Sequence, residues 1–313
     1  MNTRHLIDPE LLPLLEMMPT AQFNGETLPM IRQMSEARFD FLGEPELKPE
    51  IRVIDGPGGP LDVYWFDPAP GGAQRGALLH IHGGGMVIGS ARSSQHIPAA
   101  MAAKLGLPVA SVDYRLAPEH PFPAPQEDCL AALAWLATNA DELGINPAKI
   151  GIIGESAGGG LAAATALMAR DTDGPALAAQ FLIYPMIDHR TGGQDCPYEN
   201  KATGEFVWTR ASNRFGWDAL QGSYAADDHR KGWFSPSLAA DLAGLPPTWI
   251  GTGSMDLFLD EDFDYARRLV SAGVPVELHS YPGAPHAFQL VAQAQATQAF
   301  YRDLFGAISR MLG

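Results

Sequence analysis

A serine with glycine two residues away on either side, Gly154-Glu155-Ser156-Ala157-Gly158, lies between the apolar run ending at Ile153 and the small-residue run Gly159 to Ala166. A serine hydroxyl is a poor nucleophile until a sharp strand-to-helix turn lifts it out of the fold and a neighbouring base takes its proton. Such a turn crowds the backbone on both sides, so glycine is required where a Cβ would collide. The five residues alone are a weak signal. The β-branched strand pattern before them and the alanine-rich helical pattern after them are the context that a nucleophile elbow demands.

An activated serine needs a base, and the base needs an acceptor that holds its tautomer. Of nine histidines, His286 stands on the glycine- and proline-rich loop that follows the last predicted strand, whereas His279 falls inside that strand. Asp256 comes just after the strand Pro247 to Thr252 and is the expected acid. Asp260 competes, but with Asp262 and Asp264 it also reads as an acidic helix start favoured by the helix dipole. The attacked carbonyl oxygen becomes negative and needs preorganised N–H donors. His82-Gly83-Gly84-Gly85 follows an apolar strand, and its glycines let backbone N–H groups approach a small anion; the amide after the serine belongs to Ala157. The phosphate-binding patterns G-x-x-x-x-G-K-[ST] and G-x-G-x-x-G are absent, which argues against a nucleotide cofactor. His80 and His82 lack a third ligand and read as structural, so no metal and no cofactor are expected.

The elements that must position these residues follow from periodicity. Strands are expected at Ile51–Ile54, Leu61–Phe66, Ala77–His82, Pro108–Tyr114, Ile150–Gly154, Gln180–Tyr184, Pro247–Thr252 and Val274–Ser280. The clearest helices are Gln126–Leu143, Gly158–Ala169, Glu261–Ala272 and Gln293–Met311. Strands alternating with helices imply an α/β fold with a mostly parallel sheet. Two stretches break the alternation. Residues 1–45 are helical and hold Met1, Met17, Met18, Met30 and Met34; residues 189–236 carry Phe206, Trp208, Phe215, Trp217, Tyr224 and Trp233. Both read as cap segments over a core formed by 46–188 and 237–313, with flexible methionines suited to lining an apolar pocket.

The whole chain bounds the rest. With 313 residues, 46% of them hydrophobic, it can bury one large core. A net charge of -15 argues against nucleic acid and anionic membrane as partners. Cys129 and Cys196 lack the spacing of a metal knuckle or redox pair. Asp8, Pro9, Pro13 and Glu16 interrupt any export signal, and no charge-free apolar stretch reaches membrane-spanning length, so a cytoplasmic location is expected.

Together, His82–Gly85, the segment Asp113 to Ala124 (DYRLAPEHPFPA), Gly154–Gly159, Asp256 and His286 resemble the bacterial hormone-sensitive-lipase-like esterases, the family IV lipolytic enzymes. The resemblance runs from about residue 50 to the C-terminus. It implies an α/β-hydrolase fold, an eight-stranded, mostly parallel sheet flanked by helices with a helical cap. It further implies a triad of Ser156, Asp256 and His286, oxyanion donors at Gly84, Gly85 and Ala157, and a scaffold role for Asp113–Ala124. Leu257 departs from the family's usual proline after the acid, Met86 from the usual bulky residue after the glycines, and Glu155 from the usual aspartate or threonine. The expected activity is hydrolysis of short-chain carboxylic esters through an acyl-enzyme. Amidase, lactonase or deacetylase chemistry on the same triad, or a non-catalytic receptor, are the alternatives. Met86, Tyr184, Phe206 and Trp208 are the expected pocket residues. The expected partner is a small-molecule ester, with a homodimer left open.

Overall fold

The computed structural model describes residues 2–18, 20–71 and 74–313; Met1 lies outside them. Eight strands form one sheet: β1 (Glu50–Gly56), β2 (Gly59–Phe66), β3 (Arg75–Ile81), β4 (Val109–Val112), β5 (Ile145–Glu155), β6 (Ala179–Ile183), β7 (Thr248–Gly253) and β8 (Val276–Tyr281). Their order across the sheet is β1-β2-β4-β3-β5-β6-β7-β8. The hairpin strand β2 runs antiparallel to both its neighbours, and every pairing from β4 through β8 is parallel.

Because side chains alternate across a strand, each central strand feeds two cores. Leu79, Ile81, Ile152 and Leu182 point to the face covered by α4 (Ala124–Thr138), α5 (Ala157–Asp171) and α8 (Leu259–Ser271). Leu78, Ile153, Phe181 and Ile183 point to the face covered by α3 (His96–Leu105) and α9 (Gln295–Leu312). Helix α4 stops at Thr138, short of the expected Leu143. There Asn139 turns its side-chain amide back onto the Trp135 carbonyl at 2.8 Å and competes with the next helical turn.

Two regions lie outside this alternation. The N-terminal region carries the short helix α1 (Leu12–Met17) and α2 (Leu28–Leu42); between β6 and β7 lie α6 (Arg210–Gln221) and the single turn α7 (Lys231–Phe234). The methionine expectation fails for three residues: Met17, Met30 and Met34 are exposed at 52%, 56% and 64%. The helices turn Leu14 and Leu28 inward instead, which leaves these methionines on the solvent side. No helix among the described residues is long and apolar enough to cross a membrane.

Candidate active site

Strand β5 delivers Glu155 to the C-terminal edge of the sheet, and α5 begins at Ala157. Ser156 between them adopts φ 58°, ψ -120°, a conformation that non-glycine residues seldom take. The strain persists because the surroundings close tightly around it. A Cβ on Gly154 would strike the Gly158 backbone, one on Gly158 would strike the Ile81 and His82 carbonyls, and one on Gly159 would lie 2.9 Å from Pro185 Cβ. The Ser156 N–H donates to the Ile183 carbonyl at 2.9 Å, which ties the turn to the next strand.

Two loops bring the other groups to this serine. Met255 N donates to the Ala284 carbonyl at 3.0 Å, Ser254 N to the Tyr281 carbonyl at 2.9 Å, and Gly283 N to Ser254 Oγ at 2.8 Å. So stitched, they place Asp256 Oδ2 2.8 Å from His286 Nδ1, and His286 Nε2 3.0 Å from Ser156 Oγ. The other Asp256 oxygen accepts from Phe258 N at 3.0 Å. Asp256 is fully buried, while Ser156 and His286 are only 5% and 6% exposed. The imidazole neighbours the rings of Tyr184, 4.6 Å away, and Phe258, 5.4 Å away. Asp260 stays out of this arrangement, half-buried in the first turn of α8. Leu257, which replaces the family's proline, packs on Gly204 in the segment before α6.

The glycine loop faces the same turn. A Cβ on Gly83 would lie 2.9 Å from the Glu155 carbonyl, and Gly84 and Gly85 both have positive φ, 124° and 61°. Met86 continues the left-handed path at φ 65° and is buried. Beneath the loop, Tyr114 stacks on His82 at 4.2 Å, and its hydroxyl donates to the His82 carbonyl at 2.9 Å. Ala117 N donates to the Met86 carbonyl at 3.0 Å. From α2, Arg32 donates to the carbonyls of Val87 at 2.8 Å and Ala117 at 2.9 Å and pairs with Glu119, whose carboxyl this hydrogen bonding holds down to about 2. No sequence signal marked Arg32, because its partners, two backbone carbonyls and the Glu119 carboxylate, all lie more than fifty residues away.

Of the expected pocket residues, Trp208 lies on Gly85, where any Cβ would overlap its indole, and its ring centroid is 6.4 Å from that of His286. Phe206 is half-buried against the core that includes Leu11, Leu14 and Phe288. Tyr184 is buried beside the imidazole. The clefts along β1, one of about 590 Å³ lined by Arg52, Asp67 and Glu142, include none of these residues. Among the described residues no three His, Cys, Asp or Glu side chains converge as a metal site would require.

His80 donates or accepts at Ser111 Oγ, 2.8 Å away, and meets Glu155 at 3.1 Å, so both of its nitrogens are engaged below the elbow. His82 differs: Nδ1 meets the Gly83 carbonyl at 2.8 Å, Nε2 is buried without a partner among the described residues, and burial holds its pKa down to about 4 from an ordinary 6.5. The ring is therefore neutral in the folded protein and free to protonate when unfolded. Its contribution to stability is complete above about pH 6.5 and is lost as pH falls toward 4, to a total of about 3 kcal/mol. Burial pushes Glu261 and Asp262 well above the carboxylate range, a stabilisation of acid pH with the opposite sign, so the comparison is made against a variant. His82→Asn is expected to flatten the fall in urea-unfolding free energy between pH 6.5 and 4.5 by up to about 1.4 kcal/mol per pH unit. Parallel curves for the two proteins would refute the neutral buried imidazole.

A strand-turn-helix serine, an acid and a histidine on successive post-strand loops, and a glycine loop after β3 define the class. Residues 78–290 match the sequence model of an α/β-hydrolase-fold family, and the chain belongs to it, within the hormone-sensitive-lipase-like group its motifs resemble. Among curated proteins it is 35% identical to esterase LipI of Mycobacterium tuberculosis over 95% of this chain and 93% of that one. It is also 36% identical to carboxylesterase NlhH of the same organism, over 93% and 92%. Among solved structures, a bacterial heroin esterase superposes with a TM-score of 0.91 at 38% identity, covering all of both chains. A hyperthermophilic esterase from the archaeon Pyrobaculum calidifontis gives 0.87 at 32% identity, over 97% and 98%.

Proposed function

We propose that this carboxylesterase cleaves short-chain acyl esters by a serine mechanism, with Ser156 as nucleophile, His286 as base and Asp256 as the orienting acid. The observation that carries the reading is the unbroken path Ser156 Oγ to His286 Nε2 at 3.0 Å and His286 Nδ1 to Asp256 Oδ2 at 2.8 Å. His286 Nδ1–H donates to Asp256, which leaves Nε2 as the acceptor. As Ser156 Oγ bonds to the ester carbon, its proton passes to Nε2, and the carbonyl oxygen takes the negative charge. The N–H groups of Gly84, Gly85 and Ala157 receive that oxyanion, aided by the positive end of α5. Collapse breaks the bond to the alcohol oxygen, which leaves with the proton from Nε2. Water then repeats the sequence on the acyl-enzyme, with His286 as base, and releases the acid.

Segments 1–45 and 189–236 act as the cap, and Met86, Tyr184, Phe206 and Trp208 bound the substrate pocket. The nearly closed surroundings of Ser156 favour small acyl groups, since each added methylene gains about 0.8 kcal/mol only while apolar wall remains to receive it. Across p-nitrophenyl esters, kcat/KM is expected to peak between acetyl and hexanoyl and to fall sharply by dodecanoyl. An optimum on long-chain triglyceride emulsions would overturn the short-chain reading. The unpaired Cys129 and Cys196 are in keeping with work in the reducing cytoplasm.

A further inference from the structure

Trp208 does not reach the oxyanion loop by chance of packing. The residue before it, Val207, is β-branched yet holds φ 61°, a backbone that such residues avoid unless the surroundings impose it. The indole N–H donates to Asn213 Oδ1 at 3.1 Å, and Asn213 is completely buried on α6. Its amide orientation is fixed from the other end, because Nδ2 donates to the Thr191 carbonyl at 2.7 Å. The Thr191 hydroxyl in turn donates to Glu261 Oε2, and Glu261 Oε1 accepts the N–H groups of Ile187 at 2.8 Å and Asp188 at 3.1 Å. Glu261 belongs to the first turn of α8, the helix that follows Asp256. A continuous buried chain of hydrogen bonds thus runs from the helix after the acid to the indole that covers Gly85. Trp208 also meets Phe23 edge-on at 5.4 Å, and α6 closes on the loop at Gly216, where a Cβ would lie 2.7 Å from the Gly85 carbonyl oxygen.

We propose that Asn213 is a positioning residue for substrate selection: it fixes the Trp208 indole over Gly85 as the wall that limits the length of the acyl group. The proposal rests on the serine-esterase reading above, in which Gly85 receives the carbonyl oxygen. The acyl chain extends from the same carbon that bears that oxygen and stays on the enzyme, so an indole in contact with Gly85 lies against its path, whereas the contact with His286, past which the alcohol departs, is more distant. Loss of the Asn213 acceptor leaves a buried indole N–H unpaired and frees the ring to swing.

The test compares wild type, Asn213→Leu, Trp208→Phe and the double variant on p-nitrophenyl acetate, butanoate and octanoate, with KM and kcat separated. Trp208→Phe keeps a ring but deletes the N–H, and it carries the test if Asn213→Leu does not fold. In either single variant the acetate-to-octanoate ratio of kcat/KM is expected to fall about tenfold, mainly through a lower KM for octanoate. The double variant is expected to show no further loss, since both changes break the same bond. An unmoved ratio in a folded single variant, additive losses in the double variant, or a shift confined to a series of alcohol groups would each overturn the proposal. A wild-type protein without ester hydrolysis would instead sink the esterase reading itself.

Discussion

Ser156→Ala is expected to leave a folded protein whose kcat/KM on p-nitrophenyl butanoate has dropped by about 10³ to 10⁶, because the members of a triad act as a unit and only oxyanion binding survives. The substitution removes one hydroxyl from a residue held by its backbone: Ser156 N on the Ile183 carbonyl at 2.9 Å, and the Ser156 carbonyl accepting from Met186 N at 2.9 Å and Gly160 N at 3.0 Å. Alanine keeps those bonds, so the melting temperature should stay within a few degrees of wild type. It also keeps the strained φ of 58°, which calls for a direct check by circular dichroism. A phosphonate inhibitor should add one equivalent of mass to the wild type and none to the variant. Retention of a large share of the activity, or labelling of the alanine protein, would remove Ser156 from the mechanism.

Asp256→Asn is the second large effect, with an expected loss of about 10³ to 10⁴ in kcat, as the amide presents the wrong hydrogen-bonding group to His286 Nδ1 and favours the wrong tautomer. Asp260→Asn is expected to cost less than about tenfold. The two aspartates lie one helical turn apart in sequence, but only Asp256 reaches the imidazole, at 2.8 Å, with its second oxygen satisfied by Phe258 N. Measuring both variants side by side at saturating substrate gives a clean ranking, and the reverse order would transfer the orienting role to Asp260. Leu257 makes this comparison informative. Where the family places proline, the leucine packs on Gly204, so the acid loop is held by a contact with another segment rather than by ring rigidity.

The sheet was legible because its code is local. Eight short apolar runs between helical or turn-rich stretches specify strands, and all eight appear within a few residues of expectation. The boundaries that moved did so for reasons outside periodicity. Asn139 capped α4 early with its own side chain, and β5 extended back to Ile145, where Arg75 pairs across a shift in register. Asp256 and His286 could be chosen from sequence because loop position after a strand is itself a local property. By contrast, methionine content said nothing about which face of α1 or α2 would turn inward, and Met17, Met30 and Met34 turned out.

By itself, then, the sequence determined which residues carry reactive groups and which turns could expose them: a serine between crowding glycines, a post-strand aspartate, a post-strand histidine and a run of three glycines. Those features depend on neighbours within a few positions, where backbone sterics leave little choice. Only the tertiary structure decided what surrounds them. Arg32 meets Val87 and Ala117, Tyr114 supports His82, and the indole of Trp208 covers Gly85 through a buried chain that ends at Glu261. Each of these contacts joins segments distant in the chain, and burial makes it depend on the placement of a whole layer at once; no spacing rule along the sequence encodes such a distance.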